Sequence, residues 1–198
     1  MAQAPRLVYY ACLVYSLLFF AVWTMQIKGR RKPDYSIPRG SGLRGVLAAF
    51  TTGMLPWRKE SAKLEPLSYT AGILYHLASF SSLVILAFPG LLLGAGAVFF
   101  WVLTAGVACG LYLLMKRVFK KRLRFLSGPG DYAANLVVDL MQLSVLLAIT
   151  GVVPPVVPYF VTCAVLLYLP FGKLRHCYFF FASRLLLGRS YGRRGVYI

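Results

Sequence analysis

LSYTAGILYHLASFSSLVILAFPGLLLGAGAVFFWVLTAGVACGLYLLM, running from Leu67 to Met115, contains no Asp, Glu, Lys or Arg. A helix needs about 20 apolar residues to cross the hydrocarbon of a bilayer. Pro89–Gly90 divides the stretch into two runs of that length, Leu67–Phe88 and Leu91–Met115, and a Pro-Gly pair marks a turn. Outward from it, similar runs occupy Leu7–Ile27 on one side and Tyr132–Val153 and Pro155–Leu187 on the other. This pattern predicts an all-α membrane protein, a five-transmembrane-helix bundle with helices at about 7–27, 67–88, 91–115, 132–153 and 155–187. A single membrane domain, 1–198, accounts for the whole sequence.

Composition agrees. Of 198 residues, 59% are hydrophobic, above the roughly 45–50% of soluble domains. The first run follows Arg6 but is too long for a signal peptide, lacks a small-x-small cleavage site and is followed by basic residues. It reads as a retained helix.

A net charge of +17 would suggest nucleic acid in a soluble chain. Here its distribution argues for topology instead. Nine Lys/Arg lie between Lys28 and Lys63, six between Lys116 and Arg124, and six between Lys173 and Arg194. The turns at Pro89–Gly90 and Gly151–Pro155 carry none. With five helices the three basic segments share one side and Arg6 lies on the other. The positive-inside rule then puts the N-terminus outside and the C-terminus in the cytoplasm, as expected for a multi-pass protein of the cell inner (cytoplasmic) membrane. The same cations attract anionic lipid heads or an acidic partner, and no nucleic acid is expected.

The cysteines, Cys12, Cys109, Cys163 and Cys177, are scattered, with no CxxC and no CxxCH. An iron–sulfur or zinc framework and covalent haem attachment are unsupported, and the cysteines read as small packing residues.

The loop Lys28–Pro66 is the only long one. Lys28–Gly42 is rich in Pro, Gly and charge, whereas Leu43–Leu55 is apolar enough for an interfacial amphipathic helix, with Trp57 at aromatic-belt depth. Gly40 to Gly45 spell GxGxxG, but no strand precedes them and no βαβ unit surrounds them, so a nucleotide site is set aside. The third run carries Gly106-Val-Ala-Cys-Gly110. This GxxxG permits close helix approach, either within the chain or to a partner helix.

After the turn Gly128-Pro129-Gly130, the fourth run places Asp131, Asn135, Asp139 and Gln142 at spacings of four, four and three. That puts them on one face, which should look into the bundle or at a partner because polar groups in lipid are costly. Asp131 is expected to cap the helix. An ionised Asp139 at mid-helix costs about 2.5–3.5 kcal/mol on insertion scales. Its structural reading is a carboxyl bonded to Gln142 or a Tyr; its functional reading is a proton acceptor for a quinol. Tyr69, Asp139 and Gln142 are the candidates for a quinone or proton-relay site.

His76 and His176 are the only histidines, both in or against apolar segments. An ionisable side chain at membrane depth is a functional candidate by default, and imidazole is the commonest metal ligand. His76 lies about nine residues into its helix, roughly 13 Å below the cytoplasmic boundary at 1.5 Å per residue. The two helices run antiparallel, so both histidines fall in the cytoplasmic half, as axial ligands of one haem b would. Arg58, Lys59, Lys173 and Arg175 are candidates for its propionates or for a partner. The alternative is a helix–helix hydrogen bond for His76 and an interfacial position for His176.

Pro170-Phe171-Gly172-Lys173-Leu174-Arg175-His176 resembles the last-helix segment of the membrane cytochrome b (gamma) subunit of respiratory nitrate reductase, where Pro-Phe-x-(Arg/Lys)-Leu-x-His supplies a haem ligand. Tyr75-His76-Leu77-Ala78 is similar to the second-helix segment that supplies the opposite one. The resemblance spans about Leu67 to Arg184. The loop before it and the tail Ser190–Ile198 look more like relatives paired with heterodisulfide-reductase-type iron–sulfur subunits. Nitrate-reductase-type subunits hold two haems, but here the position ten after His76 is Leu86 and the position eighteen before His176 is Pro158. The resemblance therefore implies a single haem on the cytoplasmic side, unless another subunit completes a second. It implies electron transfer between menaquinone or ubiquinone and a cytoplasmic iron–sulfur or flavin subunit of a respiratory oxidoreductase, with other membrane subunits as further partners.

Two other functions stand beside this one. A haem-free membrane anchor would dock a cytoplasmic redox complex through the basic loops. A transporter lined by Asn135 and Asp139 would need broken helices or inverted repeats, and the sequence suggests neither.

Overall fold

The computed structural model describes residues 3–30 and 35–197, so residues 31–34 of the long loop and Ile198 of the tail lie outside the described residues. Among the described residues every regular element is helical. In chain order they are α1 (Gln3–Gly29), α2 (Gly42–Phe50), α3 (Glu60–Leu64), α4 (Pro66–Ala87), α5 (Leu92–Phe119), α6 (Lys121–Leu126), α7 (Pro129–Ile149), α8 (Val156–Tyr168) and α9 (His176–Arg193). Four of these elements, α1, α4, the span Pro89–Phe119 containing α5, and α7, are long and apolar enough to cross a membrane. The number is five if the broken pair Val156–Tyr168 and Lys173–Arg193 counts as one span.

The helices expected at 7–27, 67–88, 91–115 and 132–153 appear as α1, α4, α5 and α7, with shifted ends. The fifth, expected as one helix over 155–187, is instead two. Pro170 has no backbone N–H to continue α8, and Phe171 N and Gly172 N both turn back onto Tyr168 O, at 3.0 and 2.9 Å. Gly172 lets the Tyr168 ring lie against the turn, since a Cβ on it would lie 2.2 Å from Tyr168 Cζ. The interfacial helix expected over 43–55 is also shorter. Ser41 Oγ accepts from Arg44 N at 3.4 Å at its start, and after Phe50 the chain continues in 3₁₀ turns at Thr52–Met54 and Pro56–Arg58.

The described chain forms two compact units, one of residues 3–17 and 67–174, the other of residues 18–30, 35–66 and 175–197. In the first, the core holds large apolar side chains, Ile85, Leu86, Leu103, Met141 and Leu166 among them, together with small residues where helices approach closely. Ala71, Ala78 and Ser82 of α4, Gly106 and Gly110 of α5, and Ser144 of α7 are buried, while Leu93, Trp101, Leu136 and Phe160 are exposed. Small residues at the close approaches beside exposed large apolar ones are a pattern compatible with membrane helices. α4 stops before Pro89, so its last carbonyls have no helical donor. Tyrosine hydroxyls supply donors there, Tyr10 to Ala87 O (2.6 Å) and Tyr159 to Leu86 O (3.2 Å), and Tyr9 adds a bond to Leu83 O one turn earlier (2.9 Å). Ser16 of α1 likewise donates to Leu166 O of α8 at 2.9 Å.

In the second unit α2 lies antiparallel against α9 with almost no side chain between them. A Cβ on Gly45 would lie 2.0 Å from Gly188 O, and one on Gly192 would lie 2.6 Å from Gly45 Cα. Arg39 N and Gly40 N both donate to Arg193 O, at 2.8 and 3.0 Å. The glycines of the GxGxxG are thus explained by close backbone packing on the tail. At the other end of α2, Arg184 donates to Ala49 O and covers the Phe180 ring at 4.9 Å, while Phe50 stacks on Phe181 at 6.1 Å. The end of α1 joins the same unit through Phe20 and Trp23, which pack on Tyr178 at 5.0 and 5.3 Å.

Candidate functional site

α4 and α7 of the first unit carry most of the chemistry read from the sequence. Two of the stripe residues face inward, Asp139 at 5% exposure and Gln142 at 0%. Gln142 Nε2 donates to Tyr75 O at 3.1 Å and Ser79 Oγ at 2.8 Å, tying α7 to α4. Asn135 Nδ2 donates to Asp139 Oδ2 at 2.9 Å, and the Tyr75 hydroxyl donates to Asn135 O at 3.0 Å.

The remaining oxygens, Asp139 Oδ1 and Gln142 Oε1, are buried without a hydrogen-bond partner. Each lies over a glycine of α5. A Cβ on Gly110 would stand 2.0 Å from Asp139 Oδ1, and one on Gly106 would stand 2.6 Å from Gln142 Oε1. Weak Cα–H···O contacts are the interaction such an approach permits. The GxxxG is therefore an internal seat for a polar pair. Sequence reading found the GxxxG and the polar stripe separately; it missed that they meet, and it missed Tyr75 and Ser79.

His76 lies on α4, exposed on the surface of the first unit. Its Nδ1 is 2.6 Å from Gly72 O, one turn earlier. That bond holds the ring against its own helix, as a backbone carbonyl does behind many metal-ligating imidazoles. Beside it Gly72 presents bare backbone, with nothing within 4 Å of a Cβ built there. A histidine with Nδ1 bonded in this way is a donor of the kind that haem iron takes. His176 is the first residue of α9 and exposed, in the second unit. Among the described residues no group of three or more His, Cys, Asp and Glu is placed to hold a bare metal ion.

Of the cations, Lys173 pairs with Asp131 at 2.5 Å, and Arg117 lies 3.7 Å from the same carboxyl. Asp131 Oδ2 also accepts from Gly128 N at 2.9 Å; the N-cap position is Gly128, and Asp131 serves the start of α7 from the third helical position rather than as the N-cap expected. Arg175 and Arg58 are exposed, and Lys59 Nζ lies 3.6 Å from Met54 Sδ. Tyr69 is half-buried near the start of α4.

Comparison with protein-family models, curated proteins and solved structures gives no match to this chain.

Proposed function

We propose that this chain is a haem b-bearing membrane subunit of a respiratory oxidoreductase. It would pass electrons between menaquinone or ubiquinone and a cytoplasmic iron–sulfur or flavin subunit. The observation that supports the reading is the His76–Gly72 arrangement: an imidazole with Nδ1 2.6 Å from a backbone carbonyl, beside a glycine on which a Cβ would meet nothing within 4 Å. His76 and His176 would hold the iron, and Arg58, Lys59, Lys173 or Arg175 would meet the propionates or the partner. The chemistry a bound haem supplies is a one-electron couple whose potential follows ligands, burial and nearby charge.

The chain's own residues do the rest. Asp139, Gln142 and Tyr75 form the buried polar group nearest in kind to a proton relay for a quinol, with Tyr69 at the start of α4. The basic segments support an orientation with the N-terminus outside the inner membrane and the C-terminus in the cytoplasm. Lys121, Arg122 and Arg124 of α6 are exposed and suit docking of an acidic cytoplasmic subunit. That same surface favours the second reading, a haem-free anchor.

A dithionite-reduced minus oxidised spectrum with haem quantified per chain separates the two. One b-type haem per chain, abolished by His76→Ala and by His176→Ala, supports the cytochrome. A folded, complex-bound chain without haem leaves the anchor, and haem retained in both variants removes the ligand assignment.

A further inference from the structure

We infer that the α2–α9 pair is a lipid-interface element, with its apolar face on acyl chains and Arg44, Arg189 and Arg193 meeting the phosphates of anionic phospholipids. The contact between the two helices is built from Gly45, Ala49, Gly188 and Gly192, all buried. Their large apolar side chains are turned out: Leu43 is 70% exposed, Leu47 56%, Phe181 48% and Leu185 52%. In water this would be the wrong way round, because burial of just those groups stabilises a helix pair. In lipid it is the expected order, small residues at the contact and large ones outside.

Length and charge place the pair at the boundary. α2 has 9 residues, about 13 Å at 1.5 Å per residue, too short to cross. Neither helix contains Asp or Glu, while Arg44, Arg189 and Arg193 are exposed. The start of α9 also packs on the end of α1, a helix long and apolar enough to cross a membrane. There Thr24 Oγ1 and the Tyr178 hydroxyl are 2.6 Å apart, and Trp23 stacks on Phe179 at 5.2 Å. Where a crossing helix ends, the headgroup layer begins, and arginines on two helices without acidic residues match anionic phosphate there. This inference requires the chain to sit in a membrane and is independent of haem.

The test uses the full chain in nanodiscs containing phosphatidylglycerol. A benzophenone side chain is introduced at position 47 or 185, and at position 101 as a control for a lipid-facing residue of α5. Lipid adducts at 47 and 185, as at 101, are the expected result. Adducts at 101 with none at 47 or 185 overturn the proposal, as does cross-linking at those positions to another protein in native membranes. For the headgroups, Arg189→Glu with Arg193→Glu should lower retention of phosphatidylglycerol, read by native mass spectrometry, by about fivefold per charge removed. Arg189→Lys with Arg193→Lys should retain it. Equal retention in the Glu variant, with unchanged helical content, overturns the headgroup assignment.

Discussion

Gly110 and Asp139 are in register: a Cβ on Gly110 would lie 2.0 Å from Asp139 Oδ1. Gly106 stands in the same relation to Gln142, four residues along α5 and three along α7. Two polar side chains are accepted in an apolar bundle because the opposing helix withdraws to bare backbone at both points.

Gly110→Ala should therefore destabilise the bundle by about 1–3 kcal/mol, the usual cost of overpacking. Combining it with Asp139→Ala should cost less than the sum, because the carboxyl that the new methyl meets is gone. Part of the penalty should remain, since Tyr75 Cε2 lies 2.6 Å from the same point. Denaturant titration of the solubilised chain measures the cycle. Additivity within about 0.5 kcal/mol would show that the two residues do not share a contact.

The tyrosines at the end of α4 give a second expectation. Tyr10→Phe and Tyr159→Phe each remove only the donor to Ala87 O or Leu86 O. In membrane proteins such bonds average about 0.6 kcal/mol, with a maximum near 1.7. Faster amide exchange at the Phe88–Leu92 turn should accompany the loss. A neutral result for both would mean that the freed carbonyls find other donors.

Around Asp131 the two partners of one ion pair should behave differently. Lys173 is 56% exposed at its side chain and Asp131 19%. Lys173→Met removes a largely solvated ion pair and should cost less than about 1 kcal/mol, diminishing with salt. Asp131→Ala also removes the bond to Gly128 N that starts α7, adding about 0.5–2 kcal/mol. Thermal unfolding at low and high salt tests this, and equal costs for the two variants would show that the cap contributes nothing.

Apolar run length was enough to locate α1, α4, α5 and α7, because a stretch without charge has few alternatives to a spanning helix. The same criterion failed over 155–187. Hydropathy averages across Pro170 and Gly172, whereas the backbone breaks on a single missing N–H. The inward face of α7 was legible from spacing, since a polar stripe in an apolar helix must be turned away from lipid. What it meets was not legible. The contacts of Gln142 with Ser79 and of Asp139 with Gly110 join residues far apart in sequence, and local spacing carries no information about which helices become neighbours. The glycines from Gly40 to Gly45 looked like a failed nucleotide motif because their reason, the backbone of Gly188 and Gly192, lies near the other end of the chain.

Gly72 separates a haem-bearing His76 from a merely exposed one. A Cβ there meets nothing within 4 Å, and the residue lies inside α4. Judged by the chain alone, Gly72→Ala should stabilise the helix by about 0.5–1 kcal/mol, since glycine pays the larger backbone entropy. A macrocycle held by His76 Nε2 would occupy the space beside that backbone. Gly72→Leu should then lower haem content and alter the reduced spectrum while helical content and the His76 Nδ1 bond to the position-72 carbonyl persist. Full haem content in Gly72→Leu, with an unshifted spectrum, would place the haem elsewhere than beside this turn of α4. Loss of haem only in Gly72→Leu and not in Gly72→Ala would set the approach distance between a methyl and a branched side chain.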